Sequence, residues 1–177
     1  DMGLNKQGLE FAARDLNTIA LAEDGNHLII DGDKLEGAGI SDEDRSAFVD
    51  FNKQILKFSK LLSGAFNRRA PKLVEGNLTD RITLAKLGLG MKMLGKADMS
   101  DLMRLALINI YDVMEENFDN DLLKAAISLD SLLGSHMGPR SPNTVYGYLY
   151  RRMGDIYGFN GPAVVKGGMG AVGEAMA

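Results

Sequence analysis

The sequence predicts an α+β fold, mostly helical, with a small antiparallel sheet formed by an N-terminal hairpin. Three observations predict it. Apolar residues recur every three or four positions from Ser41 to Gly154, the spacing of a helix face turned to a core. Short strand-like runs divided by turn residues precede that region. Two glycine-rich stretches, 134–142 and 164–177, mark sharp turns late in the chain.

The first runs are Leu9–Ala13, Thr18–Ala22 and His27–Asp31. Glu23-Asp24-Gly25-Asn26 supplies turn chemistry between the second and third, which predicts a hairpin. A lone hairpin is marginal and needs a further strand or helix to cover it. Ser41, with Asp44 three residues on, resembles a capping box in which Asp stands for the usual Glu or Gln. Phe48, Phe51, Ile55, Phe58 and Leu62 then form one stripe on a long helix reaching about Phe66. Pro71 and Gly76 break it. Asn77 or Thr79 caps a helix over roughly Asp80–Leu94, whose interior Gly88 and Gly90 each cost about 1 kcal/mol against Ala. Ser100 caps another, running to about Asn117, with Leu102, Leu105, Ala106, Asn109, Val113 and Met114 on one side. The next begins at Asp119 or Asn120, turns Leu122, Ala125, Ala126, Leu129 and Leu132 inward, and stops at Gly134. Ser141-Pro142 reads as a helix start, because Pro is tolerated at the first helical position. Tyr146, Leu149, Tyr150 and Met153 share a face of that helix, and Gly154 closes it. Val164-Val165 reads as a short buried strand, followed by a glycine turn and a helix that is cut short.

The 177 residues fit one domain or one compact piece of a larger protein, and both ends look like cut points. No apolar run reaches the roughly 18 residues of a membrane span. With no cysteine, disulfides and thiolate chemistry are excluded. Only His27 and His136 are available as imidazoles, so the usual zinc ligand set is not expected, and no metal site is assigned. Ser135 beside His136 says nothing about the geometry of a nucleophilic triad. The net charge of −4 is unevenly spread. Residues 1–50 carry 12 acids and 4 bases, residues 51–100 carry 3 and 10, and residues 101–177 carry 9 and 6. The middle block is basic and apolar, with Leu84, Leu87, Leu89, Met91, Met93 and Leu94 beside Lys86, Lys92 and Lys96. That pattern suits an anionic membrane surface; the plainer alternative is a solvated helix face. Nine of the ten methionines fall in the helical and glycine-rich part. They suit an adaptable apolar pocket for a lipid-like molecule, or simply core packing.

Glycines between a strand and a helix let a ligand approach the main chain, since no Cβ intervenes. Gly168-Met169-Gly170-Ala171-Val172-Gly173 satisfies G-x-G-x-x-G literally. It is not a complete dinucleotide fingerprint, which needs a surrounding βαβ unit and an acidic residue about 20 positions on.

Three segments carry a family resemblance. Asp112-Val113-Met114-Glu115-Glu116-Asn117-Phe118-Asp119-Asn120-Asp121-Leu122-Leu123-Lys124-Ala125-Ala126 is one, and Gly138-Pro139-Arg140-Ser141-Pro142-Asn143-Thr144-Val145-Tyr146 is another. The third is Lys166-Gly167-Gly168-Met169-Gly170-Ala171-Val172-Gly173-Glu174-Ala175-Met176-Ala177. Together they resemble the phytoene-dehydrogenase-like FAD-dependent oxidoreductases, most closely the pyridine-nucleotide-disulfide-oxidoreductase-domain branch. Asn143 stands where that family usually has Gly, and Val145 where it has Ala; Asn also tolerates unusual φ.

The resemblance implies a fragment of the substrate-binding domain of a two-domain flavoprotein. Residues 1–160 would form a central helical cap, and residues 161–177 a glycine turn and truncated helix leading back to the FAD-binding domain. Gly167, Gly168, Met169 and Gly170 would lie near the cofactor, FAD, which the fragment alone would not hold. Met137, Tyr146 and Tyr150 are the candidate contacts of an apolar substrate, oxidised or desaturated by hydride transfer to FAD. The implied partners are that substrate, the rest of the parent flavoprotein and, as an open point, a peripheral membrane contact; no nucleic acid is implied. The implied location is cytoplasmic. A non-catalytic helical module that binds a lipid or a partner is the alternative.

Overall fold

In a computed structural model, residues 3–37 and 39–177 are described, so Asp1, Met2 and Ala38 lie outside the description. The fold is α+β and mostly helical, with small antiparallel sheets. Strands β2 (Thr18–Ala20) and β3 (Leu28–Asp31) form the expected hairpin. Gly25 sits at φ +81° in its loop, and His27 Nδ1 accepts the Ala22 N–H at 3.1 Å. The hairpin is covered by a strand that the sequence reading missed, β4 (Lys34–Glu36), joined to β3 by Gly32-Asp33. Gly32 takes φ +62°, the conformation a two-residue hairpin loop demands. Strand β1 (Phe11–Ala13) pairs instead with β5 (Val164–Val165), near the other end of the chain. Val164 is 47 % exposed, so β5 is not the buried strand expected.

Helix α1 (Asp42–Phe66) is the spine of the molecule. Ser41 Oγ accepts the Asp44 N–H at 3.0 Å, as the capping signal predicts. Asp44 does not reach back to complete the box, because its carboxylate has other partners. It is buried, and its two oxygens accept the N–H groups of Asp119 (2.9 Å) and Asn120 (3.1 Å). Phe48, Phe51, Ile55 and Phe58 are buried as the stripe predicts. Beyond them the buried positions turn polar: Ser59 donates to the Leu149 carbonyl at 2.9 Å, and Phe66 is half exposed. Arg45 donates to the carbonyls of Leu35 and Gly37, tying β4 to the first turns of α1.

Helix α2 (Leu78–Met93) has a complete capping box. Asp80 N–H donates to Asn77 Oδ1 at 2.9 Å, and Asn77 N–H to Asp80 Oδ2 at 3.1 Å. Gly95, at φ +87°, ends it and starts α3 (Lys96–Leu107), so Ser100 is inside a helix rather than its cap. The expected helix to Asn117 is two helices. The break falls at Ile108, which is extended, and Asn109 caps α4 (Ile110–Asn117) through Asp112 N–H at 2.8 Å. The 138–144 loop fills the break. Tyr111 N–H donates to the Pro139 carbonyl, Asn143 N–H to the Leu107 carbonyl, and Ile110 N–H to Thr144 Oγ1 at 2.8 Å. The orphan amides and carbonyls of two helix ends are thereby paired.

Helix α5 (Asp121–Leu132) is capped by Asn120, one of the two expected starts, but is rotated from the expected face. Leu123, Ala126, Ile127 and Ser131 are buried, while Ala125 and Leu129 are exposed. Leu123, Ala126 and Ile127 make an equally good stripe, and the Asp44 contacts at its first turn accompany that rotation. Helix α6 (Thr144–Arg152) begins two residues after Pro142, because Asn143 takes a left-handed φ of +66°. Asn thus serves as Gly would at that turn. Gly154 does not close the helix. A 3₁₀ segment, Met153–Tyr157, continues to Gly158 at φ +80°. Gly147 lets α5 and α6 touch, since a Cβ there would lie 2.4 Å from the Ser131 carbonyl oxygen. Phe51 stacks on Tyr148 at 6.0 Å between ring centroids and meets Phe118 edge-on at 5.5 Å, locking α1, α6 and the α4–α5 link. Helix α7 (Gly170–Met176) follows the final turn.

Candidate functional site

Three features lie where ligands have room to enter. The first is the glycine turn. Gly167 and Gly168 take φ +84° and +81°, and Met169 is 75 % exposed. A Cβ at Gly168 or Gly170 would meet nothing within 4 Å, and at Gly167 only the Ala171 Cβ at 3.7 Å. The main chain here is open rather than sealed in the bundle. The turn stands on the β1–β5 ribbon, where Lys166 N–H donates to the Glu10 carbonyl and Lys166 Nζ pairs with the Glu10 carboxylate at 2.8 Å. That pair holds Glu10 below and Lys166 above their ordinary pKa values.

The second feature is a cleft of about 460 Å³ beside Phe66, Tyr150, Arg152, Asp155, Tyr157 and Asn160. It opens between the far half of α1, the end of α6 and the strands. Asn160 anchors its rim through Asp31 Oδ1 (3.0 Å) and the Arg14 carbonyl (2.9 Å). Gly161, at φ +71°, lets the chain cross Leu16, whose carbonyl oxygen would lie 2.8 Å from a Cβ. Two ion pairs, Arg151–Asp130 and Arg152–Asp155, balance the cleft's charge. Burial raises the Asp155 carboxyl, against the pull of Arg152. Arg152 Nε is buried with no hydrogen-bond partner among the described residues. Tyr157 Oη lies 2.8 Å from Ser63 Oγ and accepts from Asn67 Nδ2 at 2.6 Å; these bonds lower its pKa.

The third feature is an apolar slot of about 250 Å³ among Leu61, Leu62, Leu87, Met91, Met103 and Tyr146. Gly90 permits the close packing of α2 there, for a Cβ would approach Leu61 Cδ1 to 2.9 Å.

The structure divides the sequence-predicted substrate contacts. Tyr146 lines the apolar slot and Tyr150 the polar cleft, one helical turn apart on α6. Phe66 stands between them, its ring 6.4 Å from Tyr146 and 5.6 Å from Tyr150. Met137 is 43 % exposed in the loop before α6 and lines neither cavity. Ser135 Oγ donates to the Leu132 carbonyl, a helix-end role. Sequence reasoning missed Ser63, Asn67 and Tyr157. Only Ser63 left a trace, as a polar residue on the buried side of α1; nothing local joins it to Tyr157.

Two of the three quoted segments have plain structural roles. Residues 112–126 carry the α4–α5 link that Asp44 clamps, and Lys124 there bridges Glu115 (3.0 Å) and Asp121 (2.8 Å). Residues 138–146 plug the α3–α4 break.

Comparison with known proteins agrees with the oxidoreductase branch. Two curated relatives carry the name pyridine nucleotide-disulfide oxidoreductase domain-containing protein 2, one from Rattus norvegicus and one from Mus musculus. Each is 27 % identical over 196 aligned residues, which take in 100 % of this chain and 34 % of the relative. The chain therefore spans about a third of the length of the curated relatives it matches. No family model matches, and no solved structure matches significantly. Among the described residues, no helix is long and apolar enough to cross a membrane.

Proposed function

We propose that this chain is the substrate-binding portion of an FAD-dependent oxidoreductase related to the phytoene dehydrogenases. The observation that carries the proposal is the open main chain at Gly167–Gly170, set on a ribbon that joins early and late parts of the chain. The relatives' shared name supports the oxidoreductase class. The fit to a flavin is favourable on one count. Gly168 and Gly170 face open space, so a flat ring system meets no side chain there. When bound, FAD would accept hydride from a C–H bond of an apolar, lipid-like substrate.

The residues of this chain would do the rest of the work, which is orientation and exclusion of water. Tyr146, Leu87 and Met103 give the substrate an apolar bed. Tyr150 and Phe66, in ring contact, line the polar cleft beside it. The remainder of the parent flavoprotein would hold most of the coenzyme, so the piece alone should neither retain FAD nor turn over. The test is to purify the full-length gene product and record its visible spectrum. A flavin absorption band that survives gel filtration is expected; a colourless, folded product overturns the proposal.

A peripheral membrane contact is proposed with it, from a separate observation. Leu73, Val74, Leu78, Leu89 and Met93 are each more than half exposed, on a segment rich in Arg and Lys. Such a surface suits an anionic bilayer. The same surface also fits the alternative of a non-catalytic lipid- or partner-binding module, which the flavin spectrum separates from the enzyme.

A further inference from the structure

The two cavities adjoin along one helix pair: Phe66 lines the cleft, and its ring meets Tyr146 of the slot. On α1, Leu61, Leu62 and Ala65 line the apolar slot, while Ser63, Phe66 and the cap residue Asn67 line the polar cleft. On α6, Tyr146 faces the slot, and Tyr150 one turn later faces the cleft. One turn is about 5.4 Å, so the cavities follow each other at the spacing of a few chain carbons. Phe66, whose ring meets both Tyr146 and Tyr150, is 51 % exposed and so is not held by packing on all sides.

Their chemistry differs in kind. The slot offers Leu and Met side chains, with the Tyr146 ring as one wall. The cleft offers hydrogen-bonding groups with no net charge, since each arginine is paired with an aspartate. At its open side, where Tyr157 is 57 % exposed, Asn67 donates to the Tyr157 oxygen. Either hydroxyl of the Ser63–Tyr157 pair can donate, and when Ser63 does, the phenol hydrogen is free for a ligand.

We infer that the Tyr157 cleft and the Leu61–Met103 slot form one site for an amphipathic substrate. Its neutral oxygen end, a hydroxyl or carbonyl, accepts from Tyr157, and its hydrocarbon chain passes Phe66 into the slot. This inference rests on the oxidoreductase reading and names the substrate class for it. A carboxylate is disfavoured, because the cleft holds no unpaired positive charge to receive it. A wholly apolar chain would leave the Tyr157 hydroxyl without a ligand partner.

The test uses the full-length protein with ¹³C-methyl methionine, titrated with 1-decanol, 1-butanol and decanoate. Met153 reports on the cleft, and Met91 and Met103 on the slot. Decanol should shift all three with one saturation curve. Butanol should bind at least tenfold more weakly, and decanoate at least fivefold more weakly, than decanol. Tyr157→Phe keeps the ring and should weaken decanol at least fivefold; Leu87→Asp should do the same from the other end. Shifts at Met91 and Met103 alone, indifference to Tyr157→Phe, or tighter binding of decanoate would overturn the inference. A colourless protein that still binds decanol in this way would overturn the flavin proposal only. A flavin-containing protein without the joint shift would overturn this inference only.

Discussion

Asp44→Asn tests the contact that fixes α1 against the α4–α5 link. The wild-type carboxylate is 4 % exposed and accepts two main-chain amides, at 2.9 and 3.1 Å. Hydrogen bonds to a charged acceptor contribute about 1.5–3 kcal/mol each. Asn keeps one acceptor oxygen but turns an N–H₂ toward the second amide, so one bond survives and one buried donor loses its partner. A loss of about 2–4 kcal/mol is expected. For a chain of this length it corresponds to a fall in Tm of about 5–15 °C. Urea unfolding followed by circular dichroism is the assay, with the midpoint falling and the slope unchanged. Ser41→Ala, which removes only the cap, should cost about 1 kcal/mol and serves as the comparison. If Asp44→Asn costs no more than Ser41→Ala, the clamp is not what holds the α4–α5 link.

Other outcomes follow from single groups. Burial pushes the Tyr148 phenol up to about 12, whereas the unfolded chain titrates it near 10. The raised value means its contribution is full below pH about 10 and is lost as pH climbs toward about 12, at most about 3 kcal/mol. Urea midpoints from pH 9 to pH 11 should therefore drop in the wild type and flatten in Tyr148→Phe; parallel curves would contradict this. Gly88→Ala and Gly147→Ala should have opposite signs, although both glycines lie within helices. Gly88 has open space around it and should gain about 1 kcal/mol. Gly147 would press a Cβ into the Ser131 carbonyl at 2.4 Å and should lose about 2 kcal/mol or more, measured by the same unfolding assay. Lys86→Glu with Lys92→Glu should abolish co-sedimentation with anionic vesicles at low salt; unchanged binding would remove the membrane contact.

Much of the fold was legible in the sequence because caps and stripes are local. Ser41, Asn77 and Asn120 mark helix starts through their own side chains, and all three do so in the structure. The first strand's partner was not legible, because Val164–Val165 lies about 150 residues away and pairing at that range leaves no local trace. The break at Ile108 was hidden for a related reason. Asn109 fits a helix face as well as a cap, and the loop around Thr144 that decides between them arrives from far along the chain. The α5 face was misread by one position because Leu122 and Leu123 offer two stripes of equal quality, and a tertiary contact selects between them. Of the candidate site, the glycine turn was legible as a conformation, since Gly167 and Gly168 both take positive φ. The polar cleft was not. Tyr157 lies 94 residues from Ser63 and 90 from Asn67, and only folding brings its oxygen within 3 Å of Ser63 Oγ and Asn67 Nδ2.

In the proposed flavoprotein, the bend at Gly167–Gly170 faces the coenzyme. This chain contains no cysteine, so a thiol placed at the exposed Met169 can be followed by peptide mass spectrometry. In the full-length protein, Met169→Cys should react quickly with iodoacetamide when FAD is stripped, and at least tenfold more slowly when FAD is restored. Equal rates in the two forms, with flavin demonstrably bound, would show that this bend does not meet the coenzyme.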